Sequence, residues 1–138
     1  MRMNKRRKLV VALGASTLVA PLSSFAQPQT KVWRIGILLP GSSASEAHSM
    51  DTFVQGLEKL GYVEGNNISL VLRFAEGNPD RLPALAADLL AKKVDIIFTM
   101  GTPATRAAKQ ATSNIPIVFG TSGDPVGYGL VVSLAKPG

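Results

Sequence analysis

From residue 32 to residue 119 the chain alternates short apolar runs with longer segments in which apolar side chains recur every three or four positions. The apolar runs predict strands over residues 32–39, 68–74, 96–100 and 115–119. The segments between them predict helices, and residues 130–135 predict a short helix or an apolar turn. Such alternation is typical of an α/β fold, here an open parallel sheet with helices on both faces and strand order 2-1-3-4.

Polar residues at the ends of these segments predict the helix boundaries. The predicted pairs of N-cap and first-turn residues are Ser43 with Glu46, Asn78 with Pro79, and Thr102 with Pro103. Gly61 follows the first helical segment, at the position where a residue with left-handed backbone ends many helices. On the second helix, Asp88 and Lys92 are four residues apart, which predicts an ion pair on the outer side.

The net charge of +6 is concentrated at the start of the chain. The first eight residues carry five of the fifteen basic side chains, and from Gln27 onward ten basic residues are balanced by nine acidic ones. A nearly neutral body offers no basic surface for a phosphate backbone, so nucleic acid is not a predicted partner. The chain has no Cys and one His, which excludes disulfides, Cys-ligated zinc and His-pair metal sites.

Residues 1–26 have the three parts of a secretory signal peptide. A basic stretch over residues 1–8 precedes an apolar run over residues 9–20, which is shorter than the roughly 20 residues needed to span a bilayer. A proline ends the run, and small side chains precede a predicted cleavage near Ala26. We therefore expect a periplasmic protein; the alternative is an amphipathic or buried N-terminal helix.

Three loops lie at the carboxyl ends of the predicted strands, where open α/β sheets bind ligands. They span residues 40–45, 101–105 and 120–125 and are rich in Gly and hydroxyl side chains. Two of them lead into helix N-termini, whose free N–H groups and partial positive charge suit a carboxylate or a phosphate. The hydroxyl donors are Ser42, Ser43, Thr102, Thr105, Thr121 and Ser122. Asp124 is a candidate acceptor for a ligand amine.

Several of these residues have a purely structural alternative. Ser43 and Thr102 are also expected as helix caps alone, and Asp124 before Pro125 is a frequent turn starter. The first loop has neither G-x-G-x-x-G nor G-x-x-x-x-G-K-[ST], and residues 120–124 depart from a nucleophile elbow because their second Gly is misplaced. No enzyme activity, no metal and no cofactor is therefore predicted.

Three separated segments carry a family resemblance. They are G-L-x-x-L-G-Y-V-E-G-x-N at residues 56–67, G-T-P-A-T at residues 101–105, and D-P-V-G-x-G-L-V-x-S-L-A-x-P-G at residues 124–138. In order and spacing they resemble the TrpX-like substrate-binding proteins of ABC transporters. The resemblance implies a periplasmic-binding-protein type I fold of two α/β lobes. A protein of this family delivers a small solute to an ABC permease and catalyses no reaction.

The resemblance also implies which residues of the first lobe contact the solute. By position these are Gly41, Ser42 and Ser43 in the first loop, Gly101, Thr102, Pro103, Ala104 and Thr105 in the second, and Thr121, Ser122 and Asp124 in the third. They coincide with the loops predicted from strand order. No Arg can be assigned to the cleft, and the solute is expected to be amino-acid-like, anionic or zwitterionic.

The chain reaches Gly138 where family members continue into a hinge and a second lobe. We therefore expect residues 27–138 to be the N-terminal lobe alone, and we expect this lobe to bind its solute weakly or not at all, because lobe closure supplies the other half of the contacts. Two alternatives are an exported flavodoxin-like or hydrolase-like enzyme fragment and a periplasmic sensor input domain.

Overall fold

The computed structural model of the chain describes residues 31–133 and 135. The predicted signal peptide and its cleavage near Ala26 lie outside these residues, as does the end of the chain at residues 136–138. Four strands and three α-helices alternate in order: β1 Trp33–Leu39, α1 Ser43–Lys59, β2 Ile68–Phe74, α2 Leu82–Ala91, β3 Ile96–Thr99, α3 Thr102–Ala111 and β4 Ile117–Phe119. A 3-10 turn, Pro79–Arg81, precedes α2.

The strands form one parallel sheet in the order β2-β1-β3-β4, which confirms the predicted α/β fold and strand order. Ile35 of β1 is paired with Leu70 on one side and with Ile96 on the other. The predicted bounds of β2 are those observed, whereas β1 begins one residue later, β3 ends one residue earlier and β4 begins two residues later than predicted. Residues 130–133 form no helix, although Leu130 and Val131 are buried.

Successive residues of β1 face opposite sides of the sheet, and two hydrophobic cores result. On one side Leu38 and Ile97 pack with the apolar stripes of α2 and α3. On the other side Ile37 and Leu39 pack with Met50 of α1. Helices therefore cover both faces, as the alternation of strands and helices predicts.

Two of the three predicted helix starts are shifted by one residue. Ser42, not Ser43, is the N-cap of α1, and Ser45, not Glu46, completes the capping box. Gly101, not Thr102, is the N-cap of α3, so Thr102 is its first residue. The prediction for the second helix is confirmed at the 3-10 turn, where the Asn78 side chain accepts a hydrogen bond from the Asp80 amide at 3.0 Å.

α1 ends where the sequence predicts, just before Gly61, which has the left-handed φ of +88°. The Gly61 amide donates to the Glu58 carbonyl at 2.9 Å and the Tyr62 amide donates to the Leu57 carbonyl at 2.9 Å. These two bonds are the Schellman pattern that ends a helix with a left-handed residue. Asn67 then holds the following turn, because its side chain accepts from the Val63 amide at 2.7 Å.

The predicted ion pair between Asp88 and Lys92 is wrong. Asp88 instead accepts from the Arg73 guanidinium at 2.5 Å, which joins α2 to the end of β2. The Lys92 carbonyl accepts a bond from the Arg34 side chain at 3.0 Å. Asp88 pairs with Arg73 and not with Lys92 because the Arg73 side chain is only 27% exposed and lies beside the helix.

Asp95, directly before β3, forms bonds that link the start of β3 to the start of β1. Its carboxylate accepts the Arg34 amide N–H at 2.8 Å and pairs with the Lys31 ammonium at 2.9 Å. The Arg34 N–H bond, followed by the Lys31 hydrogen bond, lowers the pKa of the Asp95 carboxyl below its usual value. A depressed pKa means that the folded chain gains stability from the ionised carboxylate above the unfolded pKa and loses it as the pH falls through the folded pKa.

We expect Asp95→Asn to lower the free energy of unfolding by about 1 kcal/mol at pH 7, because the amide keeps an acceptor for Arg34 but loses the charge. The difference from the parent should shrink as the pH falls below about 4, where the parent carboxyl is protonated. Urea unfolding at a series of pH values measures this. Asp51→Asn, at an exposed position of α1, is the control; an equal pH dependence in both variants would contradict the assignment.

No helix within residues 31–133 combines the length and the apolar character needed to cross a bilayer.

Candidate functional site

The carboxyl ends of β1, β3 and β4 lie at one edge of the sheet, because the three strands are parallel neighbours. The loops that follow them are the three predicted from the sequence. They are joined by direct bonds: the Gly101 amide donates to the Thr121 carbonyl at 3.0 Å, and the Thr102 and Ser122 hydroxyls are 3.2 Å apart. The Gly120 amide donates to the Thr99 carbonyl at 2.8 Å. The second and third loops therefore form one continuous rim.

The first loop approaches this rim from β1. Pro40 lies 3.9 Å from the position that a Cβ would take on Gly101. A Cβ on Gly41 would lie 2.5 Å from both the Glu46 carboxylate and the Ser45 hydroxyl, so a larger residue there would require these two side chains to move. β1 and β3 are neighbouring strands, and Pro40 lies beside Gly101. The first two predicted loops therefore lie together at the same edge of the sheet.

A fourth loop, missed by the sequence analysis, supports the first one. The Glu76 amide donates to the Gly41 carbonyl at 3.0 Å and the Gly77 amide donates to the Pro40 carbonyl at 2.9 Å. Both donors have positive φ, 56° for Glu76 and 77° for Gly77. The sequence analysis uses Asn78 only as a helix cap, and the Gly77–Asn78 pair after β2 is the turn signal that points to this loop. The Glu46 side chain folds over Gly41, a contact that capping-box spacing does not predict.

The predicted site residues differ in their exposure to solvent. Gly41, Ser42, Gly101, Thr102 and Ser122 are half-buried, Ser43, Pro103, Thr121 and Asp124 are exposed, and Ala104 and Thr105 are buried. Ala104 and Thr105 are 0% and 3% exposed and lie behind the surface of the loop. Nine of the eleven predicted residues therefore lie where solvent can reach them, whereas Ala104 and Thr105 do not. Contact with a solute stays a prediction.

The hydroxyl of Ser42 takes part in the helix cap. It accepts from the Ser45 amide at 3.1 Å and lies 3.2 Å from the Ser45 hydroxyl, which in turn accepts from the Ser42 amide at 2.9 Å. Thr102 and Ser122 have no such capping bond, and their hydroxyls bond to each other. The capping role predicted as an alternative for Ser43 is therefore that of Ser42, and the capping role predicted for Thr102 is wrong, because Gly101 is the N-cap.

Asp124 starts a turn in the third loop. Its carboxylate accepts the Gly127 amide at 2.8 Å, and the Tyr128 amide donates to the Asp124 carbonyl at 3.0 Å. The end of the loop is fixed to α3 by the Lys109 ammonium, which donates to the carbonyls of Gly129 and Leu130. The turn described as the alternative is therefore present, and a contact between Asp124 and a ligand amine stays a prediction.

The electrostatics of the rim come from peptide dipoles. The N-termini of α1 and α3 both open onto it, and the first turn of a helix leaves N–H groups without intrahelical acceptors. Within residues 31–133 there is no group of three His, Asp or Glu side chains close enough to hold a metal ion. Oriented N–H groups and neutral hydroxyls can bind a carboxylate, and they supply no activated nucleophile.

The rim is open to solvent. A cavity of about 300 Å³ lies at the opposite edge, between Trp33, Tyr62 and Pro116. Another of about 410 Å³ lies beside β4, under Leu130 and Val131. Neither includes Ser42, Thr102 or Ser122 among its lining residues. An open rim presents donors to a ligand from one side only.

Comparison with protein families gives a match over most of the chain. Residues 34–138 match the family described as ABC transporter substrate binding protein. A tyrosine-binding protein of Clostridioides difficile (strain R20291) is 38% identical over 86 residues, which is 62% of this chain and 25% of the relative. The chain therefore spans a quarter of the length of this relative.

Two solved structures have the same arrangement of strands and helices. The ligand-free, open structure of a substrate-binding protein with adhesive properties from Clostridium difficile is 36% identical, with a TM-score of 0.71 over 78% of this chain and 36% of that one. An ABC domain in complex with L-Trp from Streptococcus pneumonia is 27% identical, with a TM-score of 0.71 over 78% and 36%. The likeness covers slightly more than a third of each solved chain.

Proposed function

Because the chain belongs to the ABC transporter substrate-binding protein family, we propose that it is the first of two lobes that bind a small solute for an ABC importer. The solute is an amino acid or a similar anionic or zwitterionic molecule, as suggested by relatives that bind tyrosine and L-Trp. The permease in the membrane is the proposed partner. Family membership places the chain among binding proteins and not among enzymes, so the alternative of an enzyme fragment is set aside.

The observation that carries this proposal is the joining of the predicted loops at one edge. The bonds from Gly101 to Thr121 and between Thr102 and Ser122 make a single surface of the second and third loops. Pro40 brings the first loop against it. A surface built by three loops at the carboxyl edge of an open parallel sheet is where such folds bind ligands.

The proposed mechanism is binding by fixed dipoles. The solute carboxylate lies against the N-terminal turn of α3, where it meets the Thr102 amide and the partial positive charge of the helix. Of the Thr102 and Ser122 hydroxyls, the one that accepts in the bond between them keeps its proton and can donate it to the solute without a change in protonation. The N-terminus of α1 adds a second oriented dipole to the same rim. Closure of a second lobe over this rim then removes water and strengthens each of these interactions.

Export is part of the same proposal. Residues 1–26 are proposed to be a signal peptide, removed near Ala26, that delivers the lobe to the periplasm. The alternative of a sensor input domain would use the same rim and the same export. The presence of genes for a permease and an ATPase beside the coding sequence would favour the importer.

An NMR titration of the chain tests the proposal, because chemical shifts detect the weak binding expected of a single lobe. L-Trp and L-Tyr at millimolar concentrations should shift the amides of Thr102, Ser122 and Ser42. Tryptamine has the same ring and amine but no carboxylate, and it should bind at least about tenfold more weakly, since the loss of one charge-assisted bond is worth about 1.5–3 kcal/mol.

Two outcomes would contradict the proposed function. Equal shifts with tryptamine and L-Trp would show that the helix N-terminus does not bind the carboxylate. Amide shifts confined to Trp33, Tyr62 and Asp95 would place the ligand in the cavity at the amino ends of the strands.

A further inference from the structure

Behind the rim, two threonine hydroxyls form a buried pair. Thr99 at the end of β3 is 0% exposed and Thr105 in the first turns of α3 is 3% exposed. Their hydroxyl oxygens are 2.8 Å apart, and the Thr105 hydroxyl donates to the Gly101 carbonyl at 2.9 Å. A hydroxyl has one proton. Because Thr105 uses its proton on Gly101, Thr99 must be the donor between the two threonines.

This pair determines the direction of one carbonyl at the rim. The Gly101 carbonyl also accepts the Thr105 amide at 3.2 Å, so both polar groups of Thr105 hold it. Gly101 has φ 81° and ψ 151°, a conformation open mainly to glycine, and no neighbouring side chain forces its orientation. The bonds from Thr105 are therefore a principal restraint on this peptide.

The carbonyl of Gly101 and the amide of Thr102 belong to the same peptide group. All peptide bonds described in the chain are trans, so this carbonyl and this N–H point in opposite directions within one plane. A carbonyl held inward by Thr105 turns the Thr102 N–H outward, to the rim. Small rotations of the plane would change the direction of this N–H and the strength of a bond to a ligand carboxylate.

We propose that Thr105, supported by Thr99, is a positioning residue that aims the Thr102 N–H at the solute carboxylate. The proposal rests on the proposed function, and it gives Thr105 a role other than the ligand contact predicted from the sequence. Thr105 acts from behind the surface and never touches the solute. Its hydroxyl restrains the peptide, and the hydroxyl of Thr99 satisfies the remaining lone pair of Thr105.

Four variants separate positioning from general stability. Thr105→Val removes the bond to Gly101 and leaves the buried Thr99 hydroxyl without its acceptor, so both affinity for L-Trp and stability should fall. The double variant Thr99→Val/Thr105→Val removes both hydroxyls and should recover most of the stability, because no buried donor is left unpaired. Its affinity should stay about tenfold below the parent. Thr105→Ser should bind within about twofold of the parent, and Thr99→Val alone should lose less affinity than Thr105→Val.

Affinity comes from NMR titration with L-Trp, and stability comes from urea unfolding of the same samples. Ile97→Val, a buried substitution in β3 that removes no hydroxyl and no hydrogen bond, is the control for stability loss without loss of affinity. A double variant that regains affinity together with stability would overturn the proposal. So would a Thr105→Val variant that binds as tightly as Ile97→Val.

A second measurement decides the proposal independently of binding. In ligand-free samples the amide of residue 105, which donates to the Gly101 carbonyl at 3.2 Å, should be less protected from hydrogen exchange in the double variant than in the parent, and the Thr102 resonance should move. Unchanged exchange and resonances would overturn the positioning role. If the parent chain gives no response to L-Trp or L-Tyr, the proposed function fails, and the exchange result still shows whether Thr105 restrains this peptide.

Discussion

Replacing Leu89 with alanine will lower the free energy of unfolding by about 2–5 kcal/mol. Leu89 lies in the middle of α2, is 0% exposed, and packs with Leu38, Val94 and Ile97 in the core between the sheet and the two helices. One of its methyl carbons lies 3.3 Å from the position that a Cβ would take on Gly36. The helix and β1 are in such close contact there that the surrounding atoms cannot collapse into the space left by the side chain.

The same substitution at Leu60 is the matched control. Leu60 follows α1 and is 75% exposed, so Leu60→Ala removes the same atoms without opening a buried cavity and should change stability by less than about 0.5 kcal/mol. Urea unfolding followed by circular dichroism measures both. A loss at Leu89 no greater than the loss at Leu60 would show that the core around α2 is not tightly packed.

The fold could be predicted from the sequence because burial imposes a regular pattern along the chain. The observed bounds of β2, Ile68–Phe74, are those predicted, since apolar residues at every second position from Ile68 to Phe74 are interrupted by the polar Ser69 and Arg73. β4 was predicted two residues too long, because Ile115 and Pro116 are apolar but lie before the strand. Apolar character predicts burial, whereas the bounds of a strand depend on which backbone groups find a partner in β3.

The helix starts were less predictable, since several residues fit the same local rule. Both Ser42 with Ser45 and Ser43 with Glu46 have capping-box spacing. A long-range bond favours Ser42: the Gly41 carbonyl accepts from the Glu76 amide of another loop, which holds the chain directly before Ser42, and the extended backbone of Ser42 then precedes the helix. At Gly101, a bond from its amide to Thr121 has the same effect.

The meeting of the three loops at one edge of the sheet could be predicted from strand order, but the direction of each side chain could not be. Thr105 has the hydroxyl expected of a ligand contact, yet it shares the buried face of α3 with Ala108. Helical periodicity contains this information, because residues three and four apart lie on one face. The partner of its hydroxyl, Thr99, belongs to a strand and is visible only in the folded chain.

Gly101→Ala should lower the free energy of unfolding by about 1–3 kcal/mol, through backbone strain and not through a clash. The backbone at Gly101 has φ 81° and ψ 151°, where side chains other than hydrogen are disfavoured, yet the nearest atoms to an added Cβ are 3.9 Å away. Relief of this strain requires rotation of φ, which would break the bond from the Gly101 amide to Thr121 and turn the following peptide. We therefore expect weaker binding of L-Trp as well as lower stability.

Gly123→Ala is the matched control, because Gly123 lies in the third loop with no positive φ and no atom within 4 Å of an added Cβ. There the methyl group only reduces the freedom of the unfolded chain, so stability should stay the same or rise by up to about 1 kcal/mol. Urea unfolding and NMR titration of both variants give the comparison. Equal stability of the two variants would mean that the chain relaxes at Gly101 without cost, and the oriented Thr102 amide on which solute binding depends would then not be fixed by the fold.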